Sequence, residues 1–445
     1  MTGAHPHPID LRRYAPLARK TGIPVVEGRL IEVVGLVLEA GGCRASIGDI
    51  YEVRSESGGP SLEAEVVGLR KDRTLLMPLG ETHGLEVGAP LRRVGQSAYV
   101  PVGHALLGRV VDGLGRPLDG RELPRLDAER PLHGTARNPL RRRPIEQPFY
   151  VGVRAIDGFL TMGEGQRIGI FAGGGVGKSS LLGMMVRNAH LDVAVIALIG
   201  ERGREVEDFV HRTLGEEGLE RSVVIAATSA DPPLVRARGA SYATAVAEYF
   251  RSRGLRVLLV MDSLTRYAMA LREVGLAVGE PPATKGYTPT VFAALPRLLE
   301  RAGTSAGPGS ITGVYTVLVE GDDLSDPIAD AVRAILDGHI VLSRNLAERG
   351  HFPAVDLPRS VSRVMSEVAS DERIILAQRA RELIATHREV EDLLAIGAYK
   401  KGSVERLDDA LARMPGLEAF LRQSSKESTP PEQLEQRLRR IWGAT

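Results

Sequence analysis

Cysteine is almost missing from this sequence: Cys43 is the single thiol in 445 residues. No intramolecular disulfide can form, and a reducing compartment is expected. Charge of one sign is missing too. Lys and Arg number 57 against 56 Asp and Glu, which gives no overall argument for nucleic acid or an anionic membrane as partner, although a local basic groove stays compatible. Residues 25–94 hold no cluster of aromatic and basic side chains of the kind that stacks and neutralises single-stranded RNA. Long apolar runs are absent; the longest, Val193–Ile199 and 257–261, have the length of buried strands and not of a membrane span. The opening MTGAHPHPIDLRRY has no hydrophobic stretch of signal-peptide type. A cytoplasmic protein is therefore expected, reaching a membrane only through partners. No internal repeat is visible.

A chain this long exceeds one ordinary core, and two or three domains are expected. Residues 1–24 carry Arg12, Arg13, Arg19 and Lys20 against Asp10, with Leu11, Tyr14 and Leu17 at helical spacing. This reads either as a short amphipathic docking segment or as a frayed terminus. Over 25–98 the texture is β-rich: runs at 28–38, 50–53, 62–69, 74–78 and 90–94 alternate with glycine and acidic turns, the pattern of a small antiparallel barrel. Over 99–365, apolar strands (167–171, Val193–Ile199, 222–226, 255–261, 311–319) alternate with helical segments (179–190, 204–214, 241–253, 289–301, 327–337). That alternation predicts an α/β domain with a mostly parallel sheet and helices on both faces. Residues 366–445 read as a helical domain: Leu376, Ala380, Leu383, Val390 and Leu394 share a face, and 404–413 and 431–442 continue the pattern.

The most informative stretch is GQRIGIFAGGGVGKSSLLGMMVR, 165–187. An apolar run ends in Gly173, Gly174 and Gly175, followed by Val176, Gly177, Lys178, Ser179 and Ser180 at a helix start. Glycines let successive backbone N–H groups converge on a phosphate, and the helix N-terminus adds partial positive charge. Lys178 would reach β- and γ-phosphates, the Ser179 hydroxyl would hold Mg²⁺, and a nucleoside triphosphate is the expected ligand. The strict phosphate-loop pattern has glycine where this chain has Ala172, which a small residue tolerates at negative φ. Asp262 ends the apolar run at 257–261, as a metal-anchoring strand-tip carboxylate must; a helix cap, with Ser263 and the helix that follows, is the alternative, and the phosphate loop favours the metal role. Val193–Ile199 leads into GERGRE, where Glu201 could polarise water or belong to a charged loop. Arg141, Arg142 and Arg143 read as a solvated or subunit-contact patch.

Taken together, AGGGVGKS at 172–179, GERGRE at 200–205, LLVMDSLTRYA at 258–268, GEPPATKGYTP at 279–289, EGDDLSDPIAD at 320–330, LDGHIVLSR at 336–344 and SVSRV at 360–364 resemble the flagellar and type III secretion export ATPases, relatives of the F-type and V-type rotary ATPase catalytic subunits. GRVVDGLGRPLDG at 108–120 is similar to the whole superfamily. The resemblance spans about residues 25–415. It implies a RecA-like P-loop core between an N-terminal β-barrel and a C-terminal helical domain, and ATP with Mg²⁺ as the working ligands, Asp262 and Ser179 holding the metal.

It also implies roles: Glu201 as the water-activating glutamate, Arg202 near the γ-phosphate, and Arg363 as an arginine finger entering the neighbouring subunit's site. Phe352 would stack on adenine, where most relatives carry Tyr, and Tyr399 in GAYKKG would supply a second aromatic wall; a buried core aromatic is the alternative for each. With Lys178, Glu201 and Arg363 in one polypeptide, identical chains can form a ring of active sites, and a homohexamer is expected. The implied partners are a regulatory protein at the N-terminal segment, a central stalk facing the 279–289 loop, export chaperones and substrates, and an export gate at the membrane, with no specific nucleic acid. GAYKKGS and the C-terminal helices look closer to the flagellar branch than to the injectisome branch. A rotary ion-translocating subunit is disfavoured because there the finger comes from a different chain.

Overall fold

Alternating apolar and polar residues in short strands give the first part of the chain its closed shape. The computed structural model describes residues 28–54, 61–96, 98–134, 138–319, 323–395, 399–400, 402 and 404–442. The docking segment expected at 1–24 lies outside them, as do parts of GAYKKGS and of EGDDLSDPIAD. Two units divide the chain, Met1–Ser97 and Ala98–Thr445.

In the first unit, β1 (Gly28–Val34), β2 (Val37–Gly41), β3 (Asp49–Val53), β4 (Leu62–Arg70), β5 (Arg73–Pro78) and β6 (Pro90–Gln96) close into an antiparallel barrel ordered β1-β2-β5-β4-β3-β6. Inward residues such as Leu30, Leu38, Tyr51, Val53, Val66, Leu76 and Leu91 fill it. Closure leaves no free strand edge. The single strand expected over 28–38 is in fact a hairpin: Val34 pairs with Val37, and Gly35 turns the chain at a φ of 56°. Glycine supplies that left-handed conformation without the Cβ clash that an apolar run conceals from a reader of hydropathy.

The second unit contains β7 (Tyr99–Val102), β8 (Arg109–Val111), β9 (Ala128–Pro131), β10 (Pro148–Phe149), β11 (Met162–Gly163), β12 (Arg167–Ala172) and β13 (Val193–Ile199). Beyond these run β14 (Ser222–Ala227), β15 (Arg256–Asp262), β16 (Gly303–Thr304), β17 (Ser310–Leu318), β18 (Gly338–Val341) and β19 (Val361–Ser362). Two small pairs, β7–β9 and β10–β11, stand apart. The rest form a nine-stranded sheet ordered β19-β18-β12-β17-β15-β13-β14-β8, with β16 pairing β17. All neighbours on that path are parallel except β18 and β19.

Alternate residues of each strand serve opposite faces. Ile168, Ile170, Ile196, Leu198, Leu258 and Val260 join the helix Lys178–Asn188 and the C-terminal helices Asp371–Ala395, Glu405–Leu421 and Pro431–Ile441 in one core. Phe171, Val195, Ala197, Leu259, Met261 and Val317 face the helices Pro233–Ser252, Leu264–Ala277 and Pro289–Leu299 in the other. Covering both faces is what near-continuous apolar strands require.

Several expected boundaries move, each for a packing reason. The helix expected from 241 begins at Pro233, because proline at a first helical position forfeits no hydrogen bond. Its Gly239 is a close-contact residue: a Cβ there would lie 3.2 Å from both Ala227 and Ile199. The helix expected to stop at 413 runs through Pro415 to Leu421, since Leu417, Phe420 and Leu421 are buried and their burial, about 2 kcal/mol each, outweighs the interior proline. The segment expected as one helix at 204–214 is Gly203–Asp208 followed by wider π-type turns over Phe209–Leu214. Of the arginines expected as a solvated or subunit-contact patch, Arg141 and Arg143 are exposed, while Arg142 is half-buried and donates to the Ala302 carbonyl at 2.8 Å; Arg143 also donates to the Pro308 carbonyl at 2.8 Å.

GRVVDGLGRPLDG supplies the edge strand β8, which hydropathy alone did not reveal. Asp112 Oδ1 accepts the Leu114 and Arg116 N–H groups at 2.8 and 2.7 Å and shapes its turn. Arg109, buried, donates to both oxygens of Asp119 at 2.6 and 2.8 Å and to the Arg121 and Glu122 carbonyls. The Arg109 guanidinium holds the Asp119 carboxyl well below the usual carboxylate range. A depressed folded pKa means the contribution is complete above about pH 4 and fades only in stronger acid. Asp119→Ala strands a buried cation and should lower the unfolding free energy by about 3 kcal/mol at neutral pH in a urea titration; a loss near zero would show that Arg109 needs no partner.

Candidate active site

Four neighbouring strands, β12, β17, β15 and β13, run parallel and end at one level, and their tips carry the candidate chemistry. β12 ends at Ala172, whose φ is not positive, as the departure from glycine requires. Gly173 is buried, Gly174 and Gly175 are exposed, and Val176 packs into the core. Gly175 and Gly177 turn at φ of 77° and 88°, conformations a side chain would oppose. The helix Lys178–Asn188 starts there, leaving the N–H groups of its first turn without helical partners and directed outward as an anion cradle. Ser179 and Ser180 are exposed at this mouth.

Lys178 Nζ lies 2.5 Å from Asp262 Oδ1 at the tip of β15 and 3.6 Å from Glu201 Oε1 beyond the tip of β13. Asp262 is thus a strand-tip carboxylate facing the phosphate loop and not the cap of the next helix; Ser263 does the capping, accepting from Arg266 N–H. Thr316, fully buried on the intervening β17, donates to Asp262 Oδ1 at 2.7 Å and so fixes which carboxylate oxygen points away. A hydroxyl from Ser179 and a carboxylate from Asp262 are hard oxygen donors, the kind that suits Mg²⁺ shared with phosphate.

Gly200 has φ of 70°, and a Cβ there would meet the Arg266 side chain at 2.8 Å, so glycine lets Arg266 approach Glu201. Arg266 Nε is 3.5 Å from Glu201 Oε1. Glu201 is 8 % exposed, and its Oε1 accepts no hydrogen bond among the described residues: a buried acceptor aimed into a polar site, as a water-orienting base would be. Burial first, then the hydrogen bond shared with Glu205 and the charge of Asp262, push the Glu201 carboxyl up to about 7 against Lys178 and Arg266. Glu205 moves the other way, its carboxyl lowered chiefly by that hydrogen bond. Arg202 is exposed beside them, and its backbone N–H points to Glu205 Oε2 at 3.4 Å.

Phe352 stands against the loop: a Cβ added at Gly177 would lie 3.2 Å from its ring. At 44 % exposure it is a surface aromatic over the cradle and not a core one. The Tyr399 hydroxyl donates to Asp408 at 2.8 Å, so its polar end serves the following helix. Arg363 is elsewhere. Its N–H donates to the Asp337 carbonyl at 2.9 Å and its guanidinium to the Arg333 carbonyl at 3.4 Å. Asp337 pairs with Arg167, the first residue of β12. Five strand steps, about 16 Å, separate that level from Ala172, which exceeds an arginine's reach. The loop 279–289 is stapled: Glu280 accepts from Thr290 N–H and Oγ1 at 2.9 and 2.7 Å, Arg272 stacks on Tyr287, and Lys285 stands at φ of 49° and pairs with Asp326 at 3.3 Å.

Thr316, Arg266 and Glu205 were not singled out from sequence. Thr316 is one of three hydroxyl residues, with Thr312 and Tyr315, inside the apolar run ITGVYTVLV; for the others, one charge among many gives no signal.

Known proteins supply an independent comparison. The ATP synthase alpha/beta family matches twice, its nucleotide-binding domain over residues 152–362 and its beta-barrel domain over 30–95. The T3SS EscN ATPase C-terminal domain matches 369–440. The flagellum-specific ATP synthase of Pseudomonas aeruginosa is 54% identical over 408 residues, covering 91% of this chain and 90% of that protein. The type 3 secretion system ATPase of Xanthomonas euvesicatoria is 51% identical over 400 residues, covering 90% of each. Among solved structures, the assembled ATPase EscN from enteropathogenic E. coli superposes with a TM-score of 0.88 at 46% identity, covering 93% of this chain and 99% of that one. EscN in complex with its central stalk EscO gives 0.86 at 46% identity, with the same coverage.

The raised Glu201 carboxyl makes a pH dependence. For ATP turnover, kcat/KM should climb as the pH rises through about 7 and then level off. Glu205→Gln removes the carboxylate that accepts the Glu201 proton, so the climb should shift to lower pH. A profile that is flat across this range, or unmoved by the substitution, would remove Glu201 from the proton-sensitive step.

Proposed function

Because this chain belongs to the family of flagellum-specific ATP synthases and type 3 secretion system ATPases, within the ATP synthase alpha/beta family, we propose that it hydrolyses ATP in a homohexameric ring to drive protein export, on the flagellar side of that family. The observation that carries the reading is the separation within one chain. Lys178, Asp262 and Glu201 converge at the strand tips, while Arg363 lies at the other end of β12, out of reach of its own phosphate loop, which supports a role in another chain's site.

Each chain's residues then divide the work. The N–H groups of 174–178 and the Lys178 ammonium hold the β- and γ-phosphates. Ser179 and Asp262 would hold Mg²⁺, which when bound neutralises phosphate charge. Thr316 keeps Asp262 in one orientation, and Phe352 covers the base. Glu201 as carboxylate orients the attacking water and takes up its proton, Arg266 and Lys178 balancing its charge. Arg202 extends towards the γ-phosphate, and Tyr399 stands as a second wall. Arg363 of the adjoining subunit places its planar fork against charge spreading over the transferred phosphoryl group. Oxygens that share this charge in the transition state gain more from a fork than they do in the ground state, so the finger speeds turnover more than it aids binding.

The stapled loop at 279–289 supports a contact with a central stalk. EscN, whose structure includes its central stalk EscO, shares the fold closely. Residues 1–24 are assigned to a regulatory partner, and 366–445 to chaperones and substrates. Among the described residues no helix is long and apolar enough to cross a membrane, and the site of action is the cytoplasmic side of the export gate.

Mixing separates a finger that works across subunits from one that does not. Glu201→Gln and Arg363→Ala should each lose about 10³-fold or more of turnover. Mixed in equal amounts, they should recover up to about a quarter of wild-type activity, since that share of interfaces pairs an intact Glu201 with an intact Arg363. No recovery in a mixture shown by mass to contain mixed oligomers would sink the trans arrangement. Wild-type turnover per chain independent of protein concentration, with Arg363→Ala unaffected, would sink the ring.

A further inference from the structure

Gln423, in the turn between the helices Glu405–Leu421 and Pro431–Ile441, is 4 % exposed, and its side-chain amide and backbone N–H are all engaged. Its Oε1 accepts from Arg154 N–H at 2.8 Å, and its Nε2 donates to the carbonyls of Gly152 at 2.7 Å and Glu427 at 2.8 Å. Its own backbone N–H donates to the Phe352 carbonyl at 2.9 Å. A side-chain amide offers one acceptor oxygen and two donor hydrogens, and here the oxygen is engaged and both hydrogens are used. The same turn is held from two further sides. Arg154 donates to the carbonyls of Phe420 and Arg422 and pairs with Glu427. Arg187, in the last turn of the phosphate-loop helix, donates to the Ser425 carbonyl at 2.8 Å.

We infer that Gln423 is a positioning residue that sets Phe352 over the phosphate loop, so that the C-terminal helices govern how tightly the base of the nucleotide is held. This rests on Phe352 being the base wall. The side chain anchors the turn to residues 152–154, which lead into the sheet core. The backbone of the same residue then carries the aromatic. A shift of the C-terminal helix pair must move this amide, and with it the Phe352 carbonyl, while the cradle at 173–179 is held by β12 and meets the turn only through Arg187, at the far end of its helix. The base contact and the phosphate contact are thus separately adjustable.

The test uses the full chain, a fluorescent methylanthraniloyl-ADP, and inorganic triphosphate as a base-free competitor. Gln423→Ala should weaken ADP about tenfold, the scale of one base–aromatic stack, with triphosphate inhibition unchanged. Gln423→Glu, which keeps the acceptor for Arg154 N–H, should do the same if the alanine variant fails to fold. In turnover, KM for ATP should rise while kcat holds. The double variant Gln423→Ala with Phe352→Ala should bind no more weakly than Phe352→Ala alone, because one acts through the other. In the wild type, deuterium uptake over 422–429 should slow with ADP and not with triphosphate. If Phe352→Ala leaves ADP affinity intact, the base-wall reading falls. If Phe352→Ala weakens ADP but the Gln423 variants do not, or the two losses add, or triphosphate weakens equally, the positioning role of Gln423 is overturned.

Discussion

Everything at the candidate site depends on the parallel register of β12, β17, β15 and β13. Parallel pairing brings strand ends of one polarity to one edge, so the groups that follow those strands converge although they come from positions as far apart as Lys178 and Thr316. The register is set by burial. Each of these strands is apolar on both faces, and a slip would carry side chains fitted to one helix layer into the other. The polar exceptions are therefore few, and Thr316 is one of them: a hydroxyl inside a buried strand is tolerated because Asp262 accepts its hydrogen.

The electrostatics follow from that enclosure. Lys178 sits between two carboxylates, and the nearer, Asp262, takes its direct contact. Glu201 is left with longer approaches and a buried oxygen, which raises its proton affinity. Two carboxylates around one ammonium thereby acquire different characters, one in direct contact with it and the other with its proton affinity raised. An arrangement of this sort keeps a base responsive to what arrives beside it.

How much of this the sequence made legible follows from how local each feature is. The phosphate loop, the strand-tip aspartate and the β/α alternation depend on neighbours within a few residues, and hydropathy with turn chemistry was enough to find them. The hairpin at Gly35 and the helix start at Pro233 were misjudged because one glycine or proline changes meaning with its place in an element. Gln423 gave no signal at all: a glutamine in a polar turn looks solvated, and only the fold brings Gly152, Arg154 and Phe352 around it. Arg363 was named by its motif, but its distance from its own phosphate loop could only be seen in the sheet.

Under the proposed role of Arg363 across subunits, that distance has a consequence for growth of the assembly. A contact in which one chain gives a finger and the next receives it has a head and a tail, so a row of such chains always ends with one unused arginine and one unserved site. Only closure removes both ends together. The last subunit to join completes two sites where each earlier one completed a single site, which makes the closed ring distinct in kind from every shorter row, and lets turnover report whether the circle is whole.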